Sequence, residues 1–172
     1  MDDSQISYSP SSVTFHFLLT TAIYVAFSFL LIQSVQNQKP LAIYFCIGSM
    51  LLLIYPAARF IKCFIAYKSS QPAVILTKDL YIDKTQNIEV AWQDIKDIRM
   101  TTFRTSFLAI AVNDNAIIYR QAKNPVHRFF MWTNTLSGEP LMINFSLLKG
   151  KNNDILLLIK DYYQRSQVNR DK

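Results

Sequence analysis

Charged side chains are nearly missing from the first 58 residues of this chain. Between residues 4 and 58 only Lys39 carries a charge, and every other charged residue except Asp2 and Asp3 lies from Arg59 onward. A helix of about 20 mostly apolar residues crosses the roughly 30 Å hydrocarbon core of a bilayer. The two charge-free stretches on either side of Lys39 have that length. The sequence therefore predicts an integral membrane protein with a two-helix hairpin.

Cysteine and glycine are also scarce. The two cysteines, Cys46 and Cys63, both fall in or beside the second apolar stretch, where one helix would hold them about 25 Å apart, too far for a disulfide. Three glycines leave no phosphate-cradling loop and no Gly-x-Ser-x-Gly elbow. His127 is the only histidine of the soluble part, and no Cys/His spacing resembles a zinc site. We therefore expect no enzymatic activity, no cofactor and no metal.

The distribution of positive charge predicts the topology. The N-terminal lead has aspartates and no Lys or Arg, which favours a retained first helix over a cleaved signal peptide. Arg59, Lys62 and Lys68 follow the second helix, against Lys39 alone in the turn. Since loops rich in Lys and Arg stay on the cytoplasmic side, both termini are expected in the cytoplasm. The net charge of +6 is interleaved with acidic residues, so no nucleic-acid partner is expected.

Composition divides the chain into four parts. We expect a polar lead at 1–12, a transmembrane hairpin at 13–68, a soluble domain at 72–166 and a polar tail at 167–172. The two helices are expected at about 13–35 and 41–60, with the second extending to about 68. The residues predicted to lie at the membrane interface are Arg59, Lys62, Tyr67 and Lys68. His16 is better explained as an interfacial histidine than as a proton relay.

After Pro72 the hydrophobic pattern changes to the alternation typical of strands. Short strands are predicted at 73–77, 80–83, 88–91, 95–101, 106–112, 116–121 and 140–145. Asn113–Asn115 is predicted as the turn of a hairpin. A helix with an apolar face follows Asn153 or Asp154. Asp79, Asp83 and Asp94 fall in separate turns, which favours solvated side chains over a metal cluster.

Two stretches carry a resemblance to a known family. Residues 72–83, followed by 88–98 with Trp92-Gln93-Asp94-Ile95, resemble the opening of bacterial pleckstrin-homology-like (PH-like) domain proteins, as do 141–148 and the closing helix. Leu80 departs from the glycine common there. The resemblance implies a bent antiparallel barrel closed by the C-terminal helix, on a two-helix anchor in the bacterial inner membrane. Trp92 would fill the barrel end and Asp94 would cap a turn.

A group of basic residues is the candidate binding surface. It consists of Arg99, Arg104, Arg120, Lys123 and Arg128, with His127 beside them. On a domain under an anionic leaflet these residues would hold lipid headgroups, although strand alternation could instead scatter them over a solvated surface. The dense apolar stretch 126–132 is expected to form a short helix covering the barrel, or else a loop that dips into the membrane or binds a partner.

The sequence thus predicts a non-enzymatic membrane protein that presents a cytosolic PH-like domain. The expected partners are the bilayer, its anionic headgroups, or a membrane or cytosolic protein. One alternative is an immunity-type or regulatory membrane protein. The alternative from another class is a subunit of a small transporter or channel, although neither predicted span contains an acidic residue.

Overall fold

Residues 3–103, 105–122, 125–135 and 139–168 are described by a computed structural model. The side chains of Phe103 and Phe130 are excluded from that description. The strands are β1 (Ser4–Ile6), β2 (Val74–Leu76), β3 (Leu80–Asp83), β4 (Ile88–Ala91), β5 (Ile95–Phe103), β6 (Thr105–Val112) and β7 (Leu141–Asn144). The helices are α1 (Pro10–Gln36), α2 (Pro40–Lys68), α3 (Ala116–Gln121), α4 (Pro125–Thr135) and α5 (Asn152–Val168), with 3₁₀ turns at Trp92–Asp94 and Phe145–Leu147.

Helices α1 and α2 form an antiparallel hairpin. Both are long and apolar enough to cross a membrane, judged by length and composition, with a mean hydropathy of 2.0 in their most apolar windows. Each begins with proline at its first position, where the missing N–H costs no hydrogen bond. Near the domain end of the hairpin, Phe17 stacks on Phe64 with ring centroids 4.3 Å apart. The coarse prediction of two apolar helices is confirmed.

The N-terminal lead is part of the soluble domain, which the sequence did not predict. Its strand β1 pairs antiparallel with β2, with Ile6 opposite Val74. The Ser9 N–H then donates to the Leu147 carbonyl over 2.8 Å. The hairpin is therefore inserted between two neighbouring strands of one sheet. Its first helix begins at the domain and its second helix ends there.

The strands form two antiparallel sheets, in the orders β1-β2-β3-β4 and β5-β6-β7. The predicted closed barrel is wrong. At the outer edge of β4, the Gln121 side chain takes the place of a strand, because its Nε2 donates to the Glu89 carbonyl over 2.7 Å and its Oε1 accepts from the Glu89 N–H over 2.8 Å. The 3₁₀ turn at Trp92–Asp94 separates β4 from β5, so the two sheets do not close on each other.

The segment 116–121, predicted as a strand, is the helix α3. Strand β6 already pairs with β5 on one edge and with β7 on the other, so no edge is left for a further hairpin partner. The Asp114 carboxylate accepts the Ala116 N–H over 2.8 Å and starts the helical turn instead.

Helix α5 and part of α4 cover the core. Ile155, Ile159 and Tyr162 form the buried face of α5, as the helical spacing predicts. Met131 of α4 is also buried in the core. The remaining predicted strands all overlap observed ones, because their turn residues and alternation are local signals.

Candidate functional site

The candidate site lies where α2 continues from the hairpin into the domain. Arg59 is half-buried at this point and lines two cavities. The first, of about 590 Å³, lies on the three-stranded sheet and is called the sheet cavity. The second, of about 200 Å³, is called the junction cavity and is lined by Tyr55, Ala58, Arg59, Lys62, Thr85, Gln86 and His127.

The sheet cavity contains a neutralised arginine. Arg99 forms an ion pair with Glu139, whose side chain is only 3% exposed. Within the described residues, the buried Thr101 hydroxyl in the same wall has no hydrogen-bond partner. Because Glu139 is buried, it needs the Arg99 charge. Arg99 therefore pairs with Glu139 within the protein instead of serving as a headgroup ligand.

The junction cavity combines side chains from three elements. Helix α2 contributes Arg59 and Lys62, which are three residues apart and so lie on neighbouring positions of one helix face. The turn between β3 and β4 contributes Thr85 and Gln86, and the first turn of α4 contributes His127. Among the described residues that line this cavity, none is acidic.

A buried carboxylate holds the wall formed by the β3–β4 turn. Asp83 Oδ1 accepts from the Thr85 N–H and hydroxyl, both over 2.7 Å, and from the Gln86 N–H over 3.1 Å. Asp83 Oδ2 accepts from Gln86 Nε2 over 2.9 Å. Burial raises the pKa of Asp83, while these hydrogen bonds and the Arg59 charge oppose the rise. The expectation of a solvated Asp83 is therefore wrong, since this residue is fully buried.

His127 is partly buried in the junction cavity, close to the charges of α2. Its pKa is lowered by burial first, then by the charges of Arg59 and Lys62, with Asp83 opposing. Its ring lies 6.2 Å from that of Tyr55. Among the described residues no group of three or more His, Cys, Asp or Glu could hold a metal ion.

The structure distributes the predicted basic group over several elements. Arg99 lies on β5, Arg120 is exposed on α3, and Arg128 of α4 donates through Nε to the Ala122 carbonyl over 3.3 Å. Arg104 and Lys123 lie outside the described residues. The described members thus belong to three different elements, and two of them bond groups of the protein itself.

The four predicted interface residues of α2 do not lie at one place. Arg59 and Lys62 face the junction cavity, whereas Lys68 places its Nζ over the rings of Phe64 and Tyr67, at 5.6 and 5.8 Å. Tyr67 packs against the domain core. Of these four residues, only Arg59 and Lys62 line the junction cavity.

Trp92 and Asp94 belong to the fold. Trp92 is buried, and its Nε1 donates to the Thr77 carbonyl over 3.0 Å. The Asp94 carbonyl accepts the Asn113 N–H over 2.8 Å and joins the 3₁₀ turn to the end of β6. Both residues stabilise the connection between the two sheets.

His16 is engaged within the hairpin. Its Nδ1 donates to the Ser12 carbonyl over 2.7 Å, since a carbonyl oxygen can only accept. Its ring stacks on Phe60, with centroids 5.0 Å apart. The hydrogen bond lies within α1, whereas the stacking on Phe60 joins α1 to α2 at the domain end of the hairpin.

Helix α4 presents an exposed apolar face. Val126, Phe129 and Trp132 recur every three residues and are 45%, 56% and 51% exposed, while Met131 on the opposite side is buried. His127 lies on the same side of α4 as Met131, and its ring is 6.2 Å from that of Tyr55, so α4 meets α2 through the side opposite its exposed apolar face. Side chains of this kind, on an amphipathic helix next to a membrane span, are typical of the bilayer interface.

Comparisons with protein-family models, with curated proteins and with solved structures find no match to this chain. The comparisons therefore assign no function, and a function is inferred here from the residues that line the junction cavity. Sequence reasoning identified Arg59, Lys62 and His127 separately but not their convergence. It missed Thr85 and Gln86, because only the fold brings that turn to α2.

Proposed function

We propose that this protein is a non-enzymatic membrane protein whose hairpin holds a PH-like domain against the cytosolic face of the bilayer, where the domain binds anionic lipid headgroups. The observation that carries this proposal is the exposed apolar face of α4, a helix whose opposite side lies next to α2. Its two aromatic residues, Phe129 and Trp132, are of the types found on the apolar face of interfacial helices.

The insertion of the hairpin within the sheet supports this function. Because β1 precedes α1 and pairs with β2, which follows α2, the domain has a connection to the hairpin on each side. A domain joined by one flexible linker could turn freely, whereas this one keeps α4 on the side facing the hairpin. The apolar side chains of α4 then have a bilayer within reach.

The charge of the junction supports a cytosolic, anionic surface. Arg59, Lys62 and Lys68 lie in the part of α2 that follows its charge-free stretch, and Lys39 is the single charge in the turn at the other end. Positive residues next to a span favour the cytoplasmic side, and each contributes about 1 kcal/mol of attraction to an anionic leaflet. The PH-like assignment is supported by two antiparallel sheets followed by a C-terminal helix that covers the core, without a closed barrel, although a fold of this kind names no ligand.

Hydrogen–deuterium exchange of the full-length protein in nanodiscs tests the proposal. We expect segment 125–135 to exchange more slowly in discs of phosphatidylcholine with phosphatidylglycerol than in discs of phosphatidylcholine alone. The double variant Phe129→Ser with Trp132→Ser should lose this protection. Leu157→Ser is the matched control, since Leu157 is equally exposed but lies on α5. Exchange of 125–135 that is independent of lipid charge and unchanged in the double variant would refute the function.

A further inference from the structure

We infer that the junction cavity is a binding site for one anionic phosphate group, supplied by a lipid headgroup whose acyl chains remain in the bilayer. This inference deepens the proposed function and rests on it for the source of the phosphate. The site itself is defined by Arg59, Lys62 and His127, which approach one space from two helices.

The donors of the cavity suit a phosphate. The arginine guanidinium presents a planar fork that matches phosphate oxygens, and lysine supplies a compact positive charge. The Asp83 carboxylate takes the Thr85 N–H, the Thr85 hydroxyl and the Gln86 N–H and side-chain amide. The wall formed by the turn is thereby fixed in shape, while the cations of α2 supply the attraction.

The charge of the junction cavity distinguishes it from the sheet cavity. Arg59 lines both cavities, but the other cation of the sheet cavity, Arg99, is already neutralised by the Glu139 carboxylate, whereas the junction cavity adds Lys62. Of the three ion pairs among the described residues, none includes Arg59 or Lys62. Asp83, the acid that acts on His127, is buried and is not part of the cavity lining. Burial is the main cause of the lowered pKa of His127, and the charges of Arg59 and Lys62 lower it further.

The volume of the junction cavity and its position along α2 suit a lipid headgroup. The cavity volume of about 200 Å³ is well above the roughly 10–15 Å³ that one water molecule needs, so the cavity can admit a group of several heavy atoms such as a phosphate. Tyr55 and Ala58 end the charge-free stretch of α2, and Arg59 is the first cation after it. A phosphate of a lipid whose chains lie along α2 would reach this level of the helix.

Titration of the full-length protein in a neutral detergent tests this inference. Native mass spectrometry would compare short-chain phosphatidylglycerol, short-chain phosphatidylcholine and inorganic phosphate. We expect phosphatidylglycerol to bind the most tightly, and the double variant Arg59→Gln with Lys62→Gln to weaken its binding about 30-fold. The matched control, Lys96→Gln with Lys149→Gln, removes two exposed charges elsewhere and should stay within about twofold.

A second readout is independent of the double variant's folding. The chain has two histidines, so NMR can follow His127 with His16 as the internal reference. The groups acting on His127 include Tyr55, Arg59 and Lys62 of α2 and Asp83 of β3. A bound phosphate adds negative charge and should raise the pKa of His127 but not move the signal of His16. The single variant Lys62→Gln should reduce this rise.

Each outcome has a fixed meaning. Inorganic phosphate that binds as tightly as phosphatidylglycerol and shifts His127 supports the site and assigns it to free phosphate. Equal binding of phosphatidylcholine and phosphatidylglycerol, or an unchanged affinity in Arg59→Gln/Lys62→Gln, would overturn the site. Failure of α4 to gain protection in anionic bilayers would instead refute the proposed function while leaving phosphate binding in detergent intact.

Discussion

The Tyr162 hydroxyl donates a hydrogen bond to the Ser4 hydroxyl over 2.7 Å, although 158 residues separate them in the chain. This contact joins the last helix to the first strand. Because the hairpin lies between β1 and β2, the contact also fixes the segment that enters the first apolar helix. The domain and the hairpin are consequently one structural unit rather than an anchor with a flexible linker.

Loss of this hydrogen bond should destabilise the domain. Tyr162→Phe removes the donor from a partly buried pair and should lower the free energy of unfolding by about 0.5–1.5 kcal/mol. Tyr163→Phe is the control, since its hydroxyl makes only a 3.4 Å contact with the Lys96 carbonyl at the surface. Thermal unfolding of the detergent-solubilised protein measures both. Equal melting of Tyr162→Phe and wild type would contradict this role.

The effects of substituting Arg99 and Glu139 on the free energy of unfolding should be strongly coupled. Arg99→Met leaves the buried Glu139 without its partner and should cost about 1–3 kcal/mol, less than a fully buried pair because the arginine is half exposed. Glu139→Gln should cost less, and the double variant should regain most of the loss. A double-mutant cycle from chemical unfolding gives the coupling energy. Additive effects of the two single variants would show that the pair contributes nothing.

Asp83 should make stability depend on pH in an unusual direction for an aspartate. Its pKa is raised in the folded protein above the ordinary value of 3.8, chiefly by burial. The folded state therefore holds the proton more tightly than the unfolded chain, and stability falls as pH rises from about 4 through the folded pKa. Asp83→Asn cannot ionise and should lack this component.

Melting temperatures measured between pH 4 and 7 test this prediction as the difference between wild type and Asp83→Asn. Other titrating groups cancel in that difference. A stability advantage of wild type that grows with pH would show that the carboxylate is instead stabilised in its charged form.

Gln121 should protect the edge of β4. Gln121→Ala removes both bonds to the Glu89 backbone and should lower stability by about 0.5–1.5 kcal/mol, since these bonds are exposed. Amide exchange of Glu89 should accelerate, because its N–H loses its acceptor. Arg120→Ala, an exposed neighbour on the same helix, is the control. Unchanged exchange at Glu89 in Gln121→Ala would show that the side chain does not act as a strand partner.

Local signals explain what the sequence predicted well. The apolar helices follow from long charge-free stretches, and β2, β3 and β4 follow from alternation between turn-forming residues. Helix α5 follows from the spacing of Ile155, Ile159 and Tyr162. Each of these patterns lies within about 20 residues and depends little on the rest of the chain.

The errors arise from contacts that are distant in sequence. Strand β1 has only three residues, and its partner lies beyond the whole hairpin. Ala116–Gln121 contains residues that suit a strand, but β6 had no free edge. The junction cavity needs α2, Thr85–Gln86 and His127 together, which no single stretch reveals. In the sequence Asp83 resembles a solvated turn residue, yet it is buried beneath the turn that contains Thr85 and Gln86.

Fluorescence of Trp132 tests the placement of the domain at the bilayer most directly. The chain has two tryptophans, and Trp92 is buried, so the emission lost in Trp132→Phe belongs to the exposed α4 residue. In nanodiscs containing lipids brominated near the headgroup, we predict that Trp132 is quenched by the bromine and shielded from aqueous iodide. Quenching of Trp132 by iodide, with no effect of brominated lipid, would contradict a domain held against the membrane surface through α4.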